Sequence, residues 1–161
     1  MSFDDSTTFI DRQRIVDLVH AYCRGVDSID ESTLTGVFTD DCAVDYGPGM
    51  GGRRQGRDVV VAGLVAGLPN FAATHHQVSN IELRFEQDDA ATGVTYVTAW
   101  HRFPDARPDA TLWGQYHDRF VRTPSGWRIA ERVLFVSGQE NFDIPWRMIP
   151  RHDRNTTRGG N

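Results

Sequence analysis

The chain reads as an α+β fold, a curved antiparallel sheet with N-terminal helices packed on one face. Three observations carry this reading. Apolar residues recur at helical spacing only before about Leu68, four long β-rich segments fill the stretch from Thr74 to Ser137, and tight turns join those segments.

The first helix is predicted from about Thr8, a capping residue with Asp11 three positions on, to Gly25–Asp27. Ile15, Leu18, Val19, Tyr22, Cys23 and Val26 follow the i, i+3, i+4, i+7, i+8, i+11 spacing of one buried stripe. Asp30 can cap a short second helix that buries Leu34 and Val37, with a strand following over Cys42–Tyr46. Gly47-Pro48-Gly49-Met50-Gly51-Gly52 is a flexible turn suited to the border of a pocket, and it lacks the Lys-Ser or Lys-Thr that completes a P-loop. A third helix runs from Gly56 through Val59, Val60, Ala62, Leu64 and Val65 to about Leu68, where Pro69-Asn70 stops it. Strands are then predicted over Thr74–Phe85, Ala91–Phe103, Thr111–Arg122 and Trp127–Ser137, rich in Val, Thr, Tyr, Trp and Phe. Gln87-Asp88-Asp89, Pro104-Asp105-Ala106-Arg107-Pro108 and Thr123-Pro124-Ser125-Gly126 are the turns between them. Beyond the last strand, Phe142, Ile144, Pro145, Trp146, Met148 and Ile149 are too apolar for a free tail, so docking is expected. Disorder is expected only from about Arg154.

The 161 residues fit one domain spanning 1–161 with a core over about 8–150, and the 39% apolar and 24% charged content is that of a folded protein. A net charge of −5 argues against nucleic-acid binding, and Arg53, Arg54 and Arg57 read as a solvated basic turn. No apolar run approaches the ~18 residues of a membrane span, and the first residues lack a signal peptide's pattern. A cytoplasmic protein without membrane partners is expected. Cys23 and Cys42 lack CxxC spacing and are expected as free core residues, while the scattered histidines predict no metal site.

The informative residue is Asp27, which continues the apolar stripe of the first helix. A carboxylate carried toward a core needs a partner, and the His75-His76 pair supplies the best one, since an acid holding an imidazole in an apolar cavity is a general-base device. Strict strand alternation groups His75 with Ile81, Leu83 and Phe85, so that parity selects His75 unless a bulge intervenes. Without that pairing, Asp27 would cap its own helix end with Ser28. Tyr22 belongs to the apolar stripe, as core or with its hydroxyl turned to a substrate. Arg132 on the last strand needs an anionic or carbonyl partner, either substrate or an acid such as Asp27. Tyr46, Trp100, Trp113 and Tyr116 are candidate aromatic lining.

Four segments, Tyr22-Cys23-Arg24-Gly25-Val26-Asp27, Phe38-Thr39-Asp40-Asp41, Thr74-His75-His76-Gln77-Val78-Ser79-Asn80 and Gly126-Trp127-Arg128-Ile129, together with the element order, resemble the SnoaL-like branch of the NTF2-like superfamily over about residues 8–150. The resemblance implies a cone-shaped sheet, the cystatin-like α+β barrel. Three lyases of that superfamily, scytalone dehydratase, bile-acid 7α-dehydratase and hexachlorocyclohexane dehydrochlorinase, carry an Asp at the end of the first helix and a His on the first long strand. By likeness to them the catalytic set is Asp27, His76, Tyr22 and Arg132. The function implied is a cofactor-independent dehydratase-type elimination on a small apolar cyclic, polyketide-like or steroid-like substrate. Isomerisation or polyketide cyclisation uses the same parts, and a non-catalytic ligand-binding or subunit module needs no dyad. A homo-oligomer, trimer or dimer, is expected because an aromatic-rich sheet face should be covered.

Overall fold

The computed structural model describes residues 5–87 and 89–151; the tail expected to be disordered from about Arg154 lies outside the described residues. Helix α1 (Asp5–Ser28) leads into α2 (Glu31–Val37) and strand β1 (Phe38–Asp45), followed by the short β2 (Arg53–Gln55) and α3 (Arg57–Gly67). Four long strands follow: β3 (Ala73–Gln87), β4 (Ala90–Arg102), β5 (Ala110–Thr123) and β6 (Gly126–Glu140). They form one six-stranded sheet in the order β2-β1-β6-β5-β4-β3. Every pairing is antiparallel except that of β1 with β6, which is parallel. The expected α+β architecture is therefore present with one mixed pairing, joining segments that no hairpin turn links. Among the described residues no helix is long and apolar enough to cross a membrane.

The expected stripe of α1 is buried at all six positions, Ile15 and Val19 completely. It packs on the inner face of β3 and β6, which places Asp27 against β3. Asp30 caps α2 by accepting from the Thr33 N–H at 3.0 Å, and Leu34 and Val37 are buried as expected. Two local readings are corrected. Thr8 lies inside α1, because the described helix already starts at Asp5. Arg53 and Arg54 are an edge strand rather than a solvated turn, with Val44 opposite Arg54 in the register.

Asp11, expected as a capping acid, instead faces the core. It accepts both Arg122 Nη atoms, at 3.0 and 2.5 Å, and Trp127 Nε1 at 3.0 Å, fastening α1 to the far end of the sheet. The Arg122 hydrogen bonds outweigh burial and hold the Asp11 carboxyl below its ordinary 3.8. A carboxyl depressed in the folded state contributes stability that is complete above its unfolded value and is lost as pH falls through the folded one. Urea midpoints are therefore expected to drop below about pH 4 in the wild type. Asp11→Asn is expected to be weaker at neutral pH and to lose that part of the acid dependence.

Strand β3 carries the feature on which the site depends. Ser79 pairs with Tyr96 and Glu82 with Val94, so Asn80 and Ile81 together face Thr95. This is a β-bulge, with Asn80 at φ 49°, a left-handed conformation that asparagine tolerates better than most residues. The Ile81 carbonyl displaced by the bulge accepts from Arg12 Nη2 at 3.0 Å. Before the bulge Thr74, His76 and Val78 point inward, and after it Ile81, Leu83 and Phe85 do. Asn80→Val is expected to cost about 1–2 kcal/mol in a urea titration, whereas Asn80→Gly is expected to be tolerated.

Candidate active site

Between the inner face of the sheet, α1, α3 and the segment after β6 lies a cavity of about 540 Å³, within the range of small-molecule sites. Tyr22 and Val26 come from α1, Tyr46 from the end of β1, His76 from β3, Ala99 and His101 from β4, and Leu112 and Tyr116 from β5. The apolar segment after β6 docks as expected and closes one side with Phe142, Ile144 and Trp146. It is held by Val136 N–H donating to the Arg147 carbonyl at 2.8 Å, by the Arg147–Asp45 ion pair at 2.7 Å, and by Gly49 N–H donating to the Pro145 carbonyl at 2.9 Å. A Cβ on Gly49 would stand 2.7 Å from both Ile144 Cβ and the Pro145 oxygen. The glycine-rich turn thus permits close approach of the closing segment.

Asp27 and His76 meet at this cavity. Asp27 Oδ1 is 2.7 Å from His76 Nδ1 and accepts Thr74 Oγ1 at 2.8 Å, while Oδ2 accepts the His76 backbone N–H at 2.9 Å. Burial alone would raise the Asp27 carboxyl, but the bonds from the His76 ring, the His76 backbone and Thr74 prevail and lower it. With Asp27 ionised, Nδ1 donates to it and the Nε2 lone pair is left available to accept a proton. His75, one residue earlier, points to the outer face and is exposed; the Asn80 bulge reconciles the inward His76 with the inward Ile81, Leu83 and Phe85. Asp27 does not cap its own helix; Ser28 Oγ bonds the Arg24 carbonyl instead.

On the cavity wall the Tyr22 and Tyr46 hydroxyls lie 2.7 Å apart. Burial raises both phenols, against the nearby charge of Arg132, so both stay neutral and one O–H of the pair remains to be donated. Tyr116 also lines the cavity, its ring edge-on to Tyr22 at 5.8 Å.

Three expected positions are corrected. Trp100 and Trp113 do not line the cavity; they alternate with the buried Ala99 and Leu112 and therefore face outward, Trp113 being 40% exposed. On β4 and β5 the inward positions near the cavity include small residues, and aromatic character was a poor guide to facing. Arg132 is fully buried but off the lining, making a two-point pair with Asp118 at 2.8 and 2.7 Å. Its guanidinium lies between the Tyr22 and Tyr116 rings, 4.1 and 4.0 Å from their centroids. Its expected ion pair with an acid exists, with Asp118 in place of Asp27.

His101 escaped the sequence reading, which treated it as one of several scattered histidines. Alternation from Val97 and Ala99 would have placed it inside. Its ring is 5.4 Å from that of His76 and 4.5 Å from that of Phe71. Burial first, then the proximity of His76, lowers it to about 4, so it is neutral at pH 7. Among the described residues His101 Nδ1 and Trp146 Nε1 find no hydrogen-bond partner, and both are buried atoms of cavity-lining residues. Among the described residues no three His, Cys, Asp or Glu side chains gather as a metal would require.

An uncharacterised protein of Mycobacterium tuberculosis, Rv2910c, is 33% identical to this chain over 124 residues, 76% of this chain and 83% of its own length. A Novosphingobium aromaticivorans crystal structure assigned as a scytalone dehydratase superposes with a TM-score of 0.86 at 28% identity, covering 92% of this chain and 99% of that one. Hexachlorocyclohexane dehydrochlorinase LinA-type3 from Novosphingobium barchaimii has the same fold, with a TM-score of 0.77 at 19% identity over 92% of this chain and 100% of that one. The SnoaL-like domain matches residues 7–133, and the chain therefore belongs to the SnoaL-like family of the NTF2-like superfamily.

Proposed function

We propose that the chain is a cofactor-independent lyase performing a dehydratase-type elimination on a small, mainly apolar cyclic substrate. The observation that supports this most is the 2.7 Å contact between Asp27 Oδ1 and His76 Nδ1 at the edge of an apolar cavity. His76 Nε2 takes a proton from the carbon beside a carbonyl, and Asp27 stabilises the imidazolium that forms. Electron density moves to the carbonyl oxygen, where an O–H of the Tyr22–Tyr46 pair donates to it. The electrons then return to form the C=C bond and expel the β-hydroxyl, which takes the proton from the imidazolium and leaves as water. The base is regenerated and no oxidant or reductant is needed.

Arg132 is a positioning residue in this scheme, fixing the Tyr22 and Tyr116 rings from behind and adding positive potential near the developing oxyanion. Tyr46 and Tyr116 are substrate-lining residues. Assembly of copies through the outer sheet face is supported by Tyr96 and Trp113, 45% and 40% exposed. The proposal is tested by incubating the protein with hydroxylated cyclic ketones in deuterated water and following them by NMR. Loss of water, preceded or accompanied by deuterium entry beside the carbonyl, is expected. Absence of both across ketones that fit the cavity removes the lyase reading.

A further inference from the structure

Among the described residues two arginines line the cavity, and one of them is already neutralised. Arg107 bonds Asp105 at 3.0 Å and lies over Phe103 at 4.0 Å from its centroid. Outside the lining, Arg147 is paired with Asp45 and Arg57 with Asp40. Arg54, half-buried on β2 and part of the lining, forms no ion pair among the described residues. Its partner is a neutral group, the Met50 carbonyl, at 3.1 Å from Nη2. A guanidinium keeps its charge, so one that lines an apolar cavity without a protein counter-charge is available to pair with an anionic ligand.

The chain makes room for this side chain. A Cβ on Gly63 of α3 would stand 2.4 Å from Arg54 Nη1 and 3.0 Å from Cζ, and one on Gly51 would be 3.3 Å from Nη2. The guanidinium is thus seated between α3 and the turn after β1. Arg54 and His76 sit on β2 and β3, the two opposite edges of the sheet, yet line one cavity. Among the described residues, the other charge in the lining without an ion pair is Asp143, an exposed residue that forms none with Arg54.

We propose that Arg54 is an anion-recognition residue, and that the substrate is an apolar ring system bearing a carboxylate, bound by Arg54 while the reacting carbon lies at His76. This deepens the lyase reading and rests on it for the word substrate, but the anion preference itself requires only that the cavity binds ligands. The planar guanidinium fork matches a carboxylate in a two-point ion pair that a neutral amide, with one acceptor oxygen and no charge, does not make.

The test uses two probes of equal shape, adamantane-1-carboxylate and adamantane-1-carboxamide, titrated calorimetrically near pH 7, where the carboxylate is ionised. The wild type is expected to bind the carboxylate about tenfold more tightly at low ionic strength. Arg54→Gln is expected to bring the ratio to about one, and Arg54→Lys to retain part of it. Gly63→Ala keeps the charge but displaces the guanidinium, and is expected to reduce the ratio. His76→Gln is expected to keep the ratio, so that a failed elimination assay and a failed anion preference remain separate results. Equal binding of the probes by the wild type, binding of neither, or a ratio unchanged in Arg54→Gln overturns the proposal.

Discussion

His76→Ala is expected to reduce turnover of a competent substrate by roughly 10²- to 10⁴-fold, the usual contribution of a positioned base, while changing ligand affinity little. The reason is geometric. His76 presents one nitrogen to Asp27 at 2.7 Å, leaving the other for proton transfer. Neighbouring His101 does not replace it, because its lowered value of about 4 makes it a much weaker base and no carboxylate is bonded to its ring among the described residues. Asp27→Asn is expected to retain the fold and lose much of the rate. An amide keeps one acceptor oxygen where the carboxylate serves Thr74 Oγ1, the His76 backbone N–H and His76 Nδ1, and it no longer offsets the imidazolium charge. Single-turnover kinetics beside calorimetry separates the outcomes. Unchanged turnover in both variants, measured with intact ligand binding, would sink the dyad as the catalytic device.

Asp118→Ala is expected to destabilise the fold by about 3–5 kcal/mol, the cost of stranding one charge of a buried pair. Both side chains of the Arg132–Asp118 pair are fully buried, with two hydrogen bonds of 2.8 and 2.7 Å. Among the described residues Arg132 Nη1 already lacks a hydrogen-bond partner, which leaves the guanidinium little else to rely on besides the Tyr22 and Tyr116 ring faces. Replacing both residues by Arg132→Met and Asp118→Leu is expected to recover most of that loss, since an apolar pair removes the desolvation cost along with the attraction. Urea unfolding of the single and double variants gives the coupling directly. If the double variant folds but turns over slowly with normal KM, Arg132 acts through the tyrosines; a normal rate would confine it to stability.

The helices and long strands were legible because each is a local pattern. The α1 stripe, the Asp30 cap, the Pro69-Asn70 stop and the Thr, Val and aromatic runs of β3 to β6 are properties of residues within a few positions of one another. Asp27 was legible for a related reason, as a carboxylate that breaks an apolar stripe must be answered by something. The choice between His75 and His76 was different in kind. One extra residue at Asn80 reverses the facing of everything before it, and simple alternation read from Ile81, Leu83 and Phe85 selects the wrong histidine. The likeness to lyase segments pointed to His76 without explaining it; the bulge supplies the explanation.

The sequence by itself determined the three helices, β1 and the four long strands, their order, the buried stripe of α1 and the need of Asp27 for a partner, because spacing and side-chain chemistry act over a turn of helix or a few residues of strand. Only the tertiary structure decided that β1 runs parallel to β6, that Asp118 rather than Asp27 answers Arg132, that Trp100 and Trp113 face outward, and that Arg54 reaches the cavity from β2. Each of these depends on which distant segments the sheet sets side by side and on where its register slips. Such pairings are chosen by the packing of the whole core, and no short stretch of residues carries that information.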